Sequence, residues 1–320
     1  MAQHFLLSAK ARTLSLAKVM RLSDAEAYDA FKAIRWADNG GEPYCPRCGC
    51  VTVYEYRARK IFKCKGCGSQ FSVTTGTIFA SRKLSVRDLL AAIAIFVNGA
   101  KGVSALQLSR DLDVQYKTAF VLAHKLREAM GAEMQDRKLH GEVEVDGAFF
   151  GGYIKPENRK EDRIDRRLKE NQNGKRKAVV IMRERKGRAL PFVFDGEDEA
   201  LSTIIERVQP GSTIYADEAS CWDALHSRYE AKRINHSVAY RDEDACTNQA
   251  ESYFSRLRRA EIGTHHKISG RYLYQYAREM AWREDNRRKA NGTLYTLAAR
   301  AALAHPVSEN WKGYWQRKAI

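Results

Sequence analysis

Tyr44-Cys45-Pro46-Arg47-Cys48-Gly49 is the stretch that decides the fold of the N-terminal region, and Cys64-Lys65-Gly66-Cys67 repeats its cysteine pattern. The two Cys-x-x-Cys pairs are separated by 15 residues, a spacing typical of a zinc site with four thiolate ligands. A redox-active pair or a chance pairing is the alternative, and two pairs at this distance argue against it. The predicted ligands of a structural Zn²⁺ are Cys45, Cys48, Cys64 and Cys67.

Short strands and one helix are predicted around the cysteine pairs. A β-prone run from Val51 to Tyr56 follows the first pair, and an alternating run from Phe71 to Thr77 follows the second. Strands this short bury little apolar surface, so zinc binding, worth on the order of 10–16 kcal/mol in small zinc modules, supplies much of the stability. Upstream, Ser23 and Glu26 form a predicted capping box for a helix that ends near Asn39 and packs on the zinc module.

Residues 84–130 are predicted to be helical. An apolar helix ends near Asn98, and two further helices, Val103–Leu112 and Tyr116–Met130, are separated by a turn. This pattern is typical of a helix-turn-helix, although a three-helix bundle without DNA contacts has the same pattern. The second helix would present a polar and aromatic set to DNA, consisting of Gln115, Tyr116, Lys117, His124, Lys125 and Arg127.

The charge of the chain favours a polyanionic partner. The 320 residues include 55 Lys and Arg against 39 Asp and Glu, a formal net charge of +16, and the hydrophobic content of 44% is sufficient for folded domains. Residues 154–188 alone hold 14 Lys and Arg against 6 acids. We therefore expect a basic insertion at 154–177, which includes Lys175, Arg176 and Lys177, to follow a DNA strand through its phosphates.

The sequence does not predict a membrane protein. No apolar run reaches the ~18 residues of a transmembrane helix, and the segment Phe5-Leu6-Leu7 is too short for the core of a signal peptide. Cysteines grouped in Cys-x-x-Cys pairs indicate metal binding rather than disulfides in such a chain. We expect a cytoplasmic protein with no membrane partner.

From residue 139 onward, strand and helix patterns alternate. Glu144 and Asp146 lie on one face of a predicted strand, and further strands are predicted at 178–182 and 190–194. Another short strand ends at Asp217, which it delivers at its carboxyl end. Open α/β sheets place their chemistry at that end of the strands.

The next predicted element is a helix with polar residues near one face and an apolar stripe beside them. The apolar stripe would dock the helix on the sheet. The polar set is Asn248, Glu251, Ser255 and Arg258, and the stripe is Ala250, Phe254 and Leu257. Two strands and this helix can bring Asp146, Asp217 and Glu251 together around Mg²⁺, which prefers oxygen ligands. Two such ions ~3.5–4 Å apart support phosphoryl transfer. A helix-capping role for Asp217 and an ion pair between Glu251 and Arg258 are the alternatives.

These motifs as a set resemble a bacterial insertion-sequence transposase of the DDE class, in the family that joins an N-terminal zinc ribbon to an RNase H-like catalytic domain. The resemblance covers nearly the whole chain from about residue 25. It rests on residues 44–49, 71–77, 144–147, 151–152, 216–218, 248–252, 256–259 and 265–283. The implied fold class is multidomain α/β, with a zinc ribbon, a helical helix-turn-helix-like region and a mixed sheet flanked by helices.

Five segments are predicted along the chain. They are an N-terminal arm and helix at 1–40, the zinc ribbon at 41–80, a helical DNA-binding region at 81–138, the RNase H-like DDE catalytic domain at 139–290 and a helical tail at 291–320. The basic insertion interrupts the catalytic domain.

The resemblance implies Asp146 and Asp217 as the first two catalytic ligands of a two-metal site for Mg²⁺ or Mn²⁺. Related enzymes have Glu or Asn at the third position, and both Glu251 and Asn248 are available here. We favour Glu251 because Arg258 follows it by seven residues, as a basic residue usually follows the glutamate of this family. Arg258 would then contact the DNA of the element's end.

The implied activity is metal-dependent cleavage of a strand at the end of a mobile element, followed by transfer of the freed 3′-hydroxyl to target DNA. The expected partners are double-stranded DNA, both element ends and target, and a dimer or larger assembly of the chain in the nucleoid. A zinc-ribbon transcription regulator derived from a transposase is one alternative, and the three acids argue against it. An RNase H-like structure-selective nuclease is the other, and the ribbon and the basic insertion argue against that.

Overall fold

The computed structural model describes residues 5–151, 157–164, 174, 176–185, 187–217, 219–234 and 247–316. The chain divides into two compact units, one formed by Met1–Ala132 with Arg288–Ile320 and the other by Glu133–Arg287. The predicted helical tail therefore belongs to the same unit as the zinc ribbon. None of the helices in the described ranges has the length and apolar character that would let it cross a membrane.

The described residues form helices and strands in the following order along the chain. The helices are α1 (Leu16–Met20), α2 (Asp24–Arg35), α3 (Val86–Asn98), α4 (Ala105–Asp111), α5 (Tyr116–Ala132), α6 (Leu201–Arg207), α7 (Asn248–Ala260), α8 (Gly270–Asp285) and α9 (Asn291–Ala304). The strands are β1 (Val53–Tyr56), β2 (Ile61–Cys64), β3 (Gln70–Ser72), β4 (Glu142–Gly151), β5 (Arg176–Glu184), β6 (Ala189–Phe194), β7 (Thr213–Asp217) and β8 (Glu230–Ile234).

Helix α2 begins with the predicted capping box. The hydroxyl of Ser23 accepts the backbone N–H of Glu26, and the Glu26 carboxylate accepts the backbone N–H of Ser23 at 2.8 Å. At its other end, the half-buried Arg35 guanidinium donates to backbone carbonyls of the ribbon, including that of Ser72 at 3.0 Å. The Trp36 ring lies 5.6 Å from that of Phe62. The expectation that this helix packs on the zinc module is confirmed.

The ribbon is a three-stranded antiparallel sheet in the order β1-β2-β3. Its third strand ends at Ser72, so the prediction of a strand running to Thr77 is wrong beyond that residue. The Thr75 hydroxyl accepts the Ser72 N–H at 2.9 Å, and the Thr77 hydroxyl donates to the Thr74 carbonyl at 2.8 Å. These local bonds compete with strand pairing, which explains the turns at residues 73–80.

Helices α3, α4 and α5 form the helical region of the first unit. All residues of α3 from Leu89 to Val97 are buried, as its apolar sequence predicts. Ser104 caps α4 by accepting the backbone N–H of Gln107 at 3.1 Å. Asp113, with a φ of 50°, turns the chain from α4 to α5, so the two helices have the connection that the helix-turn-helix pattern predicts.

The second unit is built on a mixed five-stranded sheet in the order β6-β5-β4-β7-β8. Strand β4 is central, antiparallel to β5 and parallel to β7, while β5 pairs antiparallel with β6 and β7 pairs parallel with β8. Helix α7 packs on β4 and β5 through its buried stripe of Ala250, Phe254 and Leu257. The sheet and its helices are those expected of an RNase H-like domain, and the predicted fold class is confirmed.

Candidate functional site

The four predicted zinc ligands lie together. Their sulfur atoms are all within 4.8 Å of one another, with Cys45 Sγ 3.6 Å from Cys67 Sγ and Cys48 Sγ 3.5 Å from Cys64 Sγ. A tetrahedral zinc ion with Zn–S bonds of about 2.3 Å needs sulfur atoms about 3.8 Å apart. The four residues therefore fit a closed structural zinc site. Cys50 is outside the group, as expected, and its thiol donates to the Thr52 carbonyl.

Two matching turns hold these cysteines in place. Gly49 and Gly68, each directly after the second cysteine of a pair, have φ values of 72° and 71°. Their N–H groups donate to the carbonyls of Cys45 and Cys64 at 2.9 and 3.1 Å. Hydrogen bonds from Ser69 lower the pKa of the Cys67 thiol to about 6, which favours the thiolate that a metal binds.

The register of two strands brings the predicted aspartates side by side. In the parallel ladder of β4 and β7 the last paired residues are Val145 and Ala216, so Asp146 and Asp217 are the next residues on adjacent strands. Each carboxylate also accepts a nearby backbone N–H, Asp146 from Gly147 at 2.8 Å and Asp217 from Ala219 at 3.2 Å. Asp217 ends β7, as predicted, whereas Asp146 lies within β4, which continues to Gly151 alongside β5. The two acids are still neighbours, because the pairing of β4 with β7 stops just before them.

Asp146 lies in an environment that disfavours its negative charge. Burial, followed by repulsion from Asp217, Glu197 and Glu251, raises the pKa of Asp146 to about 7, against a partial offset from the Gly147 N–H. Clustered carboxylates with raised pKa values are stabilised by a cation, which restores the charged form. The donor set of carboxylate oxygens thus suits a hard divalent cation such as Mg²⁺ or Mn²⁺.

Glu197 is an acid of this site that the sequence analysis missed. It begins a 3₁₀ turn, Glu197–Ala200, that follows β6. Its carboxyl group covers Gly147, where an added Cβ would lie 2.5 Å from the Glu197 Cδ atom. Burial and the charge of Asp217 raise the pKa of Glu197. The available signal was the acidic run at 195–199, but its position relative to Asp146 depends on the sheet.

Glu251, the third predicted ligand, is near enough to Asp146 to affect its pKa but does not form a close cluster with the two aspartates. Glu251 lies in the first turn of α7, is exposed, and contributes to the raised pKa of Asp146. In the described part of the chain, the ligand atoms of the four cysteines lie within 4.8 Å of one another. The carboxylate oxygens of Asp146, Asp217 and Glu251 are not gathered as closely. Asn248, the first residue of α7, is also exposed, and the choice between it and Glu251 stays a prediction.

The basic residues predicted to contact DNA differ in their environments within the second unit. Arg258 is exposed on α7 near the ring of Phe150, 6.0 Å from its centroid. Arg176 lies over the ring of Phe149 at 4.9 Å, and Lys177 forms an ion pair with Asp195. Lys175 and most of the basic insertion lie outside the described residues.

The predicted DNA-contacting set on α5 is only partly at the surface. Gln115, Tyr116 and Lys117 are exposed around the start of the helix, and Lys125 is half-buried, which lowers its pKa. His124 and Arg127 are exposed by only 0% and 1%, so the prediction that they face DNA is corrected. His124 stacks on Trp311 with 4.3 Å between ring centroids, and the Arg127 guanidinium lies 5.5 Å from the Phe96 ring. Both residues face inward because the apolar side of α5 packs against its own unit.

A four-thiolate ribbon in the same chain as an RNase H-like sheet with an acidic edge is the combination that the sequence analysis predicted for a transposase of the DDE class. Comparison with known families agrees, because residues 22–70 match the transposase zinc-ribbon domain and residues 138–285 match the ISXO2-like transposase domain. The chain belongs to the insertion-element transposases of the IS1595 type, which carry a zinc ribbon and a DDE transposase domain.

Two individual proteins are similar to the chain. An uncharacterized protein in transposable element ISH50 of Halobacterium salinarum is 26% identical over 281 residues, which cover 84% of this chain and 93% of that protein. The crystal structure of the Mos1 strand transfer complex matches with 11% identity and a TM-score of 0.26, over 67% of this chain and 78% of that one. A TM-score at that level supports no conclusion about fold or assembly.

Proposed function

We propose that this transposase is catalytically active and that Asp146, Asp217 and Glu251 hold Mg²⁺ or Mn²⁺ for cleavage and transfer of DNA strands. The observation that carries the proposal is the parallel register of β4 and β7, which sets two half-buried aspartates side by side. Burial and the charge of Asp217 raise the pKa of Asp146, and a bound divalent cation would offset both effects. Glu251 is the favoured third ligand and Asn248 the alternative.

The chain's own residues bind and orient the DNA. Bound divalent cations would activate the attacking oxygen and stabilise the leaving oxygen of an in-line displacement. The carboxylates of Asp146 and Asp217 each accept a backbone N–H, at 2.8 and 3.2 Å, so each is partly oriented before a cation binds. Arg258, seven residues after Glu251 and exposed like it, is placed to neutralise a phosphate of the element's end.

DNA is the proposed substrate for both units. The exposed start of α5, with Lys117, suits a duplex groove in the manner of other helix-turn-helix proteins. Strand transfer from an element requires both of its ends, so we propose that the chain acts as a dimer or a larger assembly with two DNA ends bound.

The test uses a plasmid that carries this gene with its native flanking DNA. Purified protein and Mg²⁺ or Mn²⁺ are added, and strand breaks and joined products are mapped for wild type, Asp146→Asn and Asp217→Asn. We expect breaks at fixed flanking positions in the wild type, a loss of at least a hundredfold in both variants, and DNA binding within about twofold of wild type, because the missing interaction acts on the reacting groups.

Asp136→Asn is the matched control, since it makes the same change at an exposed aspartate of the same unit. It should cleave as the wild type does. Tight binding to the flanks without any metal-dependent break would contradict the enzyme and leave a DNA-binding protein. Equal loss of binding and cleavage in Asp146→Asn would contradict its role as a metal ligand.

A further inference from the structure

Glu144 is a fully buried carboxylate beside the catalytic edge of the sheet. It lies two residues before Asp146 on β4, so the two side chains point to the same face of the strand. Its side chain is exposed by only 1%. A buried carboxylate is retained only where hydrogen bonds and a countercharge compensate for the loss of water.

The first partners of Glu144 are the free N–H groups at the start of α7. Its Oε2 atom accepts the backbone N–H of Gln249 at 2.9 Å and that of Ala250 at 3.0 Å. These N–H groups have no partner within the helix, and a carboxylate also interacts favourably with the positive end of the helix dipole. Thr247, at the N-cap position, makes no side-chain capping bond to the helix. Glu144 therefore caps α7 from a distant strand.

The second partner of Glu144 is Arg185, which connects the same carboxylate to β7. The Arg185 Nε atom donates to Glu144 Oε1 at 3.2 Å, and the Arg185 guanidinium lies 3.6 Å from the centroid of the Tyr215 ring. Tyr215 is the residue of β7 that pairs with Glu144 in the parallel ladder, and it lies two residues before Asp217. The network thus joins β4, β7 and α7 close to the predicted metal ligand of each.

We propose that Glu144 is a positioning residue that anchors the N-terminus of α7 to the central strand and so holds Glu251 beside Asp146 and Asp217. The inference rests on the proposed function, because it assigns Glu144 a role in that same site. A capping side chain supplied by α7 itself would satisfy the same N–H groups without connecting the helix to the sheet. Glu144 does both, and Glu251 directly follows the second amide that it binds.

Glu144→Gln is the variant that tests the anchor. Glutamine has a single side-chain oxygen, so it cannot accept from both the α7 amides and Arg185, and its NH₂ group would face one of these donors. Glu142→Gln is the matched control, because Glu142 lies on the same strand, pairs with the same Arg185 at 3.8 Å and is exposed. The Glu142 side chain contacts Arg185 and Tyr215 rather than α7.

Two measurements on the full chain test whether Glu144 anchors α7, and neither depends on catalysis. Amide hydrogen exchange over 248–260 should be at least tenfold faster at the first turn in Glu144→Gln and unchanged in Glu142→Gln. Mn²⁺ binding measured by calorimetry should weaken about tenfold in Glu144→Gln only, which is within the 10–100-fold range for loss of a residue that orients a metal ligand.

A third variant, Glu144→Asp, keeps the charge and both oxygens but is one methylene shorter, and it should give intermediate values. It also carries the test if Glu144→Gln does not fold, as judged by circular dichroism. The proposal would be overturned if both Glu144 variants kept the wild-type exchange rate at α7 and the wild-type Mn²⁺ affinity. Weaker Mn²⁺ binding without faster exchange at α7 would also overturn it. A wild-type protein that shows no strand cleavage would defeat the proposed enzyme, whereas the exchange experiment would still decide the anchor.

Discussion

Asp146 shows how strongly the surroundings of one carboxyl group change its affinity for a proton. The residue is half-buried, and the loss of water together with the neighbouring carboxylates raises its pKa to about 7. Gly147 contributes indirectly, because the absence of a side chain there lets the Glu197 carboxyl approach. At the residue scale, the site therefore accumulates negative charge that folding alone does not neutralise.

This accumulation of negative charge predicts that the free energy of unfolding depends on pH in protein prepared without divalent cations. The folded pKa of Asp146 is above the ordinary value of 3.8, so the folded state binds the proton more tightly, and stability falls as pH rises from about 4 to about 7. Asp146→Asn removes the charge at every pH. We expect it to raise the free energy of unfolding by a few kcal/mol at pH 8 and by little at pH 4.

Thermal unfolding of wild type and Asp146→Asn between pH 4 and pH 8 checks this expectation. The difference between the two melting temperatures should grow through that range and level off above pH 7. The exposed control Asp136→Asn should show no such trend. A variant that is less stable than wild type at pH 8 would argue that Asp146 makes a net stabilising interaction instead.

At the scale of single elements, some helices and strands are bounded by hydrogen bonds to neighbouring residues, and others by residues distant in the sequence. Helix α2 is capped by its own Ser23 and Glu26, whereas α7 depends on Glu144 from β4. The ribbon's third strand stops early because threonine hydroxyls take over backbone groups. The cysteine turns are local, but the four thiols converge only when the ribbon is folded.

We expect Cys64→Ser to lose the zinc and to unfold the ribbon. The metal contributes on the order of 10–16 kcal/mol in small zinc modules, and these short strands have little other stabilisation. Zinc content by elemental analysis and amide exchange over 43–79 measure the two effects. Cys50→Ser changes a cysteine outside the cluster and should keep both values at the wild-type level. Full zinc content in Cys64→Ser would contradict the ribbon's ligand set.

The whole molecule consists of two units, one with the cysteine cluster that fits zinc and one with the acidic edge that is proposed to hold Mg²⁺ or Mn²⁺. The unit that contains the ribbon also holds α3, α4, α5 and the C-terminal helix α9, whereas the acidic edge belongs entirely to the second unit. The chain as a whole carries a formal net charge of +16. Binding of such a chain to DNA is expected to be driven largely by the release of counterions from phosphates.

DNA affinity should therefore fall steeply with salt. If about 6–10 phosphates are contacted, the affinity drops roughly 10³–10⁵-fold between 50 and 200 mM salt. Lys117→Ala should reduce the slope of log affinity against log salt by about one, because one phosphate contact is lost. Fluorescence anisotropy with flanking DNA measures both slopes. Lys18→Ala, at an exposed lysine of α1, is the control, and an equal change in both variants would contradict a specific contact by Lys117.

The sequence by itself determined the features that depend on spacing along the chain. The distance between the cysteine pairs predicted the zinc ligands, the strand pattern predicted that Asp217 ends its strand, and the motif set identified the transposase class. Such features need only a few neighbouring residues, so local geometry is sufficient to predict them.

Only the tertiary structure decided which side chains face inward and which elements meet. Lys117 and Arg127 are both basic residues of one helix, but packing exposes the first and buries the second. Glu197 reaches Gly147, and Glu144 binds the start of α7, across separations of 50 and 105 residues. These contacts depend on strand register and helix docking, which arise from the burial of the whole core rather than from any local pattern.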